Sequence, residues 1–169
     1  MAESNGSGFD SSEPRGFEAR LAELGIVLPD VAAPVAAYVP AVISGSLVYT
    51  SGQLPFVSGA LPATGKVGDG HGLVPLDDAR DYARTCALNA LAAARSVLGS
   101  LDRVTQVVKV NGFVASDAGF TGQSTVINGA SEVLGNIFGP AGRHARAAVG
   151  VAALPLDSPV EVEIVLAFE

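Results

Sequence analysis

Arg146 and Glu161 are the residues of this chain whose types and spacing could do chemistry together. They stand fifteen residues apart in the C-terminal run HARAAVGVAALPLDSPVEVEIVLAFE, His144 to Glu169. A guanidinium presents a planar fork that can hold a carboxylate through two hydrogen bonds. A glutamate nearby could handle water or a proton. Together they would make a small anion-and-acid pocket. The same two side chains could instead form a cross-strand ion pair on a solvated face, which contributes roughly 0.2–1 kcal/mol. Pattern alone leaves both readings open.

Two strands must position this pair. Val160, Val162, Ile164, Leu166 and Phe168 alternate with Glu161, Glu163, Val165 and Ala167. That period of two describes a strand with one strongly apolar face. Ala145 to Val151 reads as another strand, and the intervening AALPLDSP, with two prolines and an Asp-Ser pair, reads as a turn or loop. So short a link makes the two strands antiparallel neighbours in the simplest arrangement. Arg146 and Glu161 would then both lie on the less apolar faces.

The run resembles the C-terminal signature of the RidA (YjgF/YER057c/UK114) family. The matching pieces are Ala145-Arg146, the short strand Ala148 to Val151, Leu154-Pro155, and Val160-Glu161-Val162-Glu163. The likeness extends upstream through YTSGQLP (Tyr49 to Pro55), VVKVNGFVAS (Val107 to Ser116) and Asn128, and covers roughly residues 36–169. It is that of a divergent branch. Val39-Pro40 replaces the Ser-Gln that usually follows the family tyrosine, and Ala148 stands where active members often carry cysteine, serine or threonine.

The resemblance implies a chorismate-mutase-like α+β fold: a single mixed sheet, two helices packed on one face, and a trimer with pockets at the subunit interfaces. It implies an enamine/imine deaminase that hydrolyses small 2-imino acids to 2-keto acids and ammonia, without a cofactor. Arg146 would grip the substrate carboxylate and Glu161 would position the attacking water. Gly52 would offer a backbone group, and Tyr38 and Asn128 would complete the substrate-binding set. The alternative is a non-catalytic trimeric binding protein for small keto acids or related metabolites, which needs Arg146 but not Glu161. A ribonuclease is disfavoured by the net charge of -7 and the sparse aromatics, because single-strand binding uses basic grooves with stacking platforms.

Composition sets the outer limits. The 169 residues suffice for one domain with a real core, and 49% of them are hydrophobic. The acidic balance argues against nucleic acid as a partner. Cys86 is the single cysteine, so no intrachain disulfide forms, and with only two histidines no structural metal spacing appears. No run is long and apolar enough to span a membrane. Residues 1–13 lack a basic start and an apolar core, so a cytoplasmic location is the default expectation. The expected partners are a small carboxylate-bearing metabolite and further copies of the chain, with no nucleic acid and no membrane.

In chain order, residues 1–13 read as a disordered tail, residues 14–35 as an N-terminal helix and linker, and residues 36–169 as the RidA-like domain. FEARLAELGI is a short helix ending at Gly25, with Phe17, Leu21 and Leu24 as a packing stripe. Tyr38 to Pro55 reads as a hairpin around Ser44-Gly45-Ser46, with Val48 and Thr50 on one face and Leu47 and Tyr49 on the other. In the Gly-rich loop Val57 to Val74 the order of Lys66 and the glycines does not match a P-loop, and His71 reads as a surface-loop residue.

The strongest helix follows, capped by Asp77 or Asp78 and stopped by Gly99. Its stripe takes in Ala79, Tyr82 or Ala83, Cys86, Ala90, Ala93 or Ala94, and Val97, with Cys86 as a buried small hydrophobe. Val104 to Val114 reads as a strand with Val108 and Val110 on one face and Val107, Lys109, Asn111 and Phe113 on the other. Lys109 is expected at a strand edge or an interface. A second helix, Thr121 to Phe138, keeps Asn128 beside its apolar stripe, and Arg143 and His144 add basic groups before the last strands. Two helices can cover only one face of such a sheet. The other face still carries apolar side chains, so self-association is the physical expectation.

Overall fold

The computed structural model describes residues 16–31 and 37–169. The expected tail, residues 1–13, and part of the expected linker lie outside the described residues. Among the described residues there are three helices, α1 (Phe17–Glu23), α2 (Leu76–Leu98) and α3 (Gln123–Phe138). The strands are β1 (Ala41–Ser44), β2 (Leu47–Thr50), β3 (Val104–Ala115), β4 (Ala145–Val151) and β5 (Val160–Phe168). They form one mixed sheet in the order β1-β2-β5-β3-β4. The single sheet with its helices on one side is the architecture the sequence implied.

β5 sits at the centre. Val160, Val162, Ile164 and Leu166 are buried, while Glu161, Glu163, Val165 and Ala167 are half-buried on the open side. β1 and β2 form the expected hairpin, closed by Gly45-Ser46 with Gly45 at φ 60. Positive φ at the first turn position alone is the type II′ arrangement, which suits glycine there. Val48 and Thr50 share a face as expected, and that face is the core side.

The link between β4 and β5 does not make them neighbours. β5 pairs antiparallel with β2 and β3, and β4 pairs in parallel with β3, so β3 lies between them. Eight residues separate β4 from β5, longer than the two to five of a typical hairpin loop. They carry the chain across the end of β3, where Ala115 N–H donates to Pro159 O and Ser116 N–H to Val151 O. Leu156 and Asp157 turn at φ 56 and 57 to do so. The parallel β3–β4 pair is reached through α3, the crossover that parallel strands require.

Small residues bring the helices close. A Cβ built on Gly129 of α3 would lie 2.0 Å from the Arg80 carbonyl oxygen of α2, and one on Gly112 of β3 would lie 2.4 Å from Ile127. α2 buries Ala79, Ala83, Cys86, Ala87, Ala90, Ala93 and Ala94. Its N-cap is Pro75, so Asp77 and Asp78 fall inside the first turn, where they favour the helix dipole without capping it. Val97 is exposed and not part of the stripe. α3 starts at Gln123, two residues later than expected. α1 docks onto the helix layer through Leu21, which is buried, and through Phe17, edge-to-face on Phe138 at 4.6 Å.

β3 departs from simple alternation. The ladder shifts between Val107 and Lys109, and Val107 and Val110 are both buried while Val108 is exposed. This bulge puts Val107 on the core face, opposite to the expectation. Lys109 lies in the interior of the sheet, paired with Val165 of β5 and Ala145 of β4, and not at an edge. Beyond the bulge, Asn111 and Phe113 do occupy the open face, opposite Glu163 and Glu161. Val42, Tyr49 and Val149 are exposed, so the side of the sheet that the described residues leave uncovered is substantially apolar.

Candidate functional site

Arg146 enters on β4, an edge strand. Its register partner on β3 is the buried Val110, so the arginine leaves the sheet on the helix side. That overturns the expectation that Arg146 and Glu161 share the less apolar side. The cause is the parallel pairing, which sets Arg146 and Ala148 beside Val110 and Gly112. The half-buried guanidinium reaches α3, where Nη1 donates to Asn128 Oδ1 at 2.8 Å and to Ser131 Oγ at 3.2 Å. Asn128 and Ser131 are three residues apart and therefore on one helix face.

These two bonds use both hydrogens of Nη1. The Nε and Nη2 side of the fork makes no hydrogen bond within the described residues. The ion pairs among those residues are Arg20–Glu23, Arg80–Glu132 and Arg95–Glu18, none of them involving Arg146. Arg146 is thus a held cation whose side-on edge is open to an external carboxylate.

Glu161 lies opposite Phe113 on the open face. Its carboxylate stands over Gly52, where an added Cβ would fall 1.7 Å from Oε1. The chain leaves the β2 ladder here. Thr50 Oγ1 accepts from Ile164 N–H at 3.0 Å, and Gln53 resumes pairing with Val162 through backbone bonds of 2.8 and 3.0 Å. Gly52 therefore matters for close approach, which only a residue without Cβ permits. Burial pushes the Glu161 carboxyl above its ordinary range, and the charge of Glu163 two residues on adds to this. Glu163 itself accepts from Asn111 Nδ2 at 2.8 Å.

The structure brings Gly52 to Glu161, and Asn128 to Arg146, but it keeps these two groups apart within one chain. Val110 faces both Arg146 and Ile164, and Glu161 lies three residues beyond Ile164. Two strand spacings of about 4.8 Å and three residues of about 3.3 Å each put the two Cα atoms more than roughly 10 Å apart. They also leave opposite faces of the sheet. Tyr38, just before β1, is 51% exposed, and no hydrogen bond joins it to either group.

Cys86 is buried, and burial first and the Glu161 charge second drive its thiol well above the usual range, which disfavours the thiolate that a nucleophile needs. His71 is exposed in the Gly-rich loop. Sequence reasoning missed Ser131, which contacts both Arg146 and His144. The signal was present as two spacings, Asn128-x-x-Ser131 on a helix and His144-x-Arg146 entering a strand.

Among the described residues no helix is long and apolar enough to cross a membrane. The model of the family described as "YjgF/chorismate mutase-like, putative endoribonuclease" matches residues 18–167. Protein TCP17 of Trypanosoma cruzi is 47% identical over 148 residues, which are 86% of this chain and 89% of that protein. The solved structure of Atu1372 from Agrobacterium tumefaciens, a protein of unknown function, is 45% identical at a TM-score of 0.82, with 90% of this chain and 92% of that one covered. The structure of TdcF from E. coli with bound serine is 26% identical at a TM-score of 0.60, with 82% and 94% covered. The matched span takes in β1 to β4, α2, α3 and all but one residue each of α1 and β5, and with them Arg146, Glu161, Gly52, Tyr38 and Asn128, and the chain belongs to the YjgF/RidA family.

Proposed function

We propose that the chain is a cytoplasmic, homotrimeric hydrolase of small 2-imino acids, releasing the 2-keto acid and ammonia. The observation that carries this reading is the open Nε/Nη2 edge of Arg146, a positioned cation without an internal carboxylate. A fork so oriented suits a substrate carboxylate bound by two charge-assisted hydrogen bonds. The serine bound to TdcF supports the size and class of ligand, since serine carries an α-carboxylate.

In the reaction, water adds to the imine carbon and the carbinolamine collapses to the carbonyl with loss of ammonia. Glu161 takes one proton from the attacking water and delivers it to the imine nitrogen, then passes the carbinolamine hydroxyl proton to the same nitrogen as it leaves as ammonia. Its raised pKa suits a group that must both accept and give a proton. Because Arg146 and Glu161 leave opposite faces of one sheet, their joint action requires a boundary between copies. The uncovered apolar face supplies a physical reason for such copies to assemble.

The second reading, a trimeric binding protein for small keto acids, is favoured by one specific observation. Arg146, Asn128 and Ser131 form a complete carboxylate-holding unit without Glu161, and Ala148 beside them offers no side-chain donor.

One experiment separates the readings. Ammonia and 2-keto acid release from 2-aminoacrylate generated in situ is compared with spontaneous hydrolysis for wild type, Arg146→Ala and Glu161→Gln. A deaminase accelerates release, and Glu161→Gln slows it roughly 10²–10⁴-fold. A binding protein shows no rate above background yet binds pyruvate in calorimetry, and loses that binding in Arg146→Ala. A wild type that does neither overturns both readings.

A further inference from the structure

Arg146 is the end of a longer chain of hydrogen bonds. His144 Nδ1 lies 2.6 Å from Gly142 O, and His144 Nε2 lies 3.0 Å from Ser131 Oγ. Ser131 Oγ in turn lies 3.2 Å from Arg146 Nη1. The directions follow from what each atom can do. Gly142 O can only accept, so Nδ1 carries a proton. In neutral His144, Nε2 is then bare and must accept, so the Ser131 hydroxyl donates to it. The serine oxygen is left with lone pairs for Nη1–H, which can only donate.

The far end of the chain is anchored. Gly142 is buried, and a Cβ there would lie 2.7 Å from Leu134 O and 3.0 Å from the Gly135 Cα of α3. The carbonyl that orients His144 is thus pinned against the end of the helix that carries Ser131 and Asn128. Helix α3 and the start of β4 hold one another through these side chains.

We infer that Ser131 and His144 are positioning residues for Arg146. They lock Nη1 together with Asn128, so that the side-on Nε/Nη2 fork, and not the Nη1/Nη2 end, is presented to a ligand carboxylate. A serine alone could rotate its hydroxyl toward solvent and release Nη1. The imidazole fixes the rotor, and Gly142 fixes the imidazole. This inference rests on the carboxylate-binding reading of Arg146, and it adds the geometry by which a small 2-imino or 2-keto acid is received.

The test has a ligand-free arm and a binding arm, run on the full-length protein. In the first, nitrogen-resolved NMR at about pH 8.5, above the ordinary imidazole range, reads the His144 ring and the Arg146 side chain. The expected result is the Nδ1–H tautomer of His144 and separately resolved Nη protons for Arg146. In Ser131→Ala and His144→Ala the Arg146 signals should merge as the guanidinium rotates.

In the second arm, calorimetry with pyruvate should show affinity about tenfold weaker in Ser131→Ala and His144→Ala, the scale of one hydrogen bond to a charged group. His144→Gln places an amide oxygen near the Nε2 position and should restore most of that loss. An Nε2–H tautomer in the wild type, or Arg146 signals unchanged in both alanine variants, overturns the positioning role. Wild-type pyruvate binding that survives Arg146→Ala overturns the carboxylate reading instead, and the spectra still decide whether Ser131 and His144 hold the arginine.

Discussion

Replacing Gly52 with alanine should damage turnover far more than stability, and the structure sets the scale of both effects. The new Cβ would stand 1.7 Å from Glu161 Oε1, 2.7 Å from Cδ and 3.1 Å from Cγ, whereas ordinary contact begins at 3.4 Å. The carboxylate oxygen must therefore move by about 1.7 Å. The atoms in the way belong to the flexible end of one side chain and not to backbone. Swinging Glu161 to a less favourable rotamer costs about 0.5–1.5 kcal/mol, which bounds the expected loss of stability. A misplacement of about 1 Å in a reacting group can lower the rate roughly 10²-fold, so kcat should fall by at least that factor. KM should move little, since in the proposed reaction Arg146 would hold the carboxylate from a separate element.

The assay is steady-state ammonia release from in situ 2-aminoacrylate, paired with urea unfolding of the same preparations. The double variant Gly52→Ala/Glu161→Gln should be no slower than Glu161→Gln alone, because both changes act through one carboxylate. A folded Gly52→Ala protein with wild-type kcat would refute the argument that this glycine exists to seat Glu161.

Three further outcomes are expected. Glu161 has a raised pKa in the folded chain, so its contribution to stability is intact below the unfolded value of about 4.3 and is lost as pH rises through the folded value; Glu161→Gln should therefore be the more stable protein at about pH 7 in urea titrations, with the difference vanishing at about pH 4, and the opposite trend would contradict the burial of this carboxyl. Gly129→Ala should cost about 1–3 kcal/mol, because its Cβ would meet the Arg80 backbone oxygen at 2.0 Å and backbone cannot give way; an unchanged unfolding midpoint would show that α2 and α3 do not approach so closely. Cys86, buried with its thiol pKa driven up, should react with a disulfide reagent only as fast as the protein opens, and immediate labelling of the native chain would place it at the surface.

Much of the fold could be read locally. The alternation of Val160, Val162, Ile164 and Leu166 marked β5 and its buried face, and the alanine-rich stripe around Cys86 marked the helix that lies close to the sheet. The hairpin around Gly45 and the shared face of Val48 and Thr50 followed from period and turn chemistry. Each of these depends on residues a few positions apart, whose preferences are properties of the chain itself. The family likeness likewise came from local strings, and it indicated Arg146, Glu161, Gly52, Tyr38 and Asn128 as a set without saying where each one lies.

What the local strings could not carry was partnership between distant segments. AALPLDSP is compatible with a hairpin or with a crossing, and the choice fell to the crossing because β3 pairs with both flanking strands. The one-residue bulge at Val108 reversed the facing of Val107 without any breaker residue to announce it. The parallel register of β4 put Arg146 on the helix side, within reach of Asn128 and Ser131 and away from Glu161. The amino-acid sequence by itself determined which residues carry charge and which stretches form helices and strands. Only the tertiary structure decided which charges meet, because a strand's facing depends on the register of its neighbours, and that register is set by packing across the whole sheet.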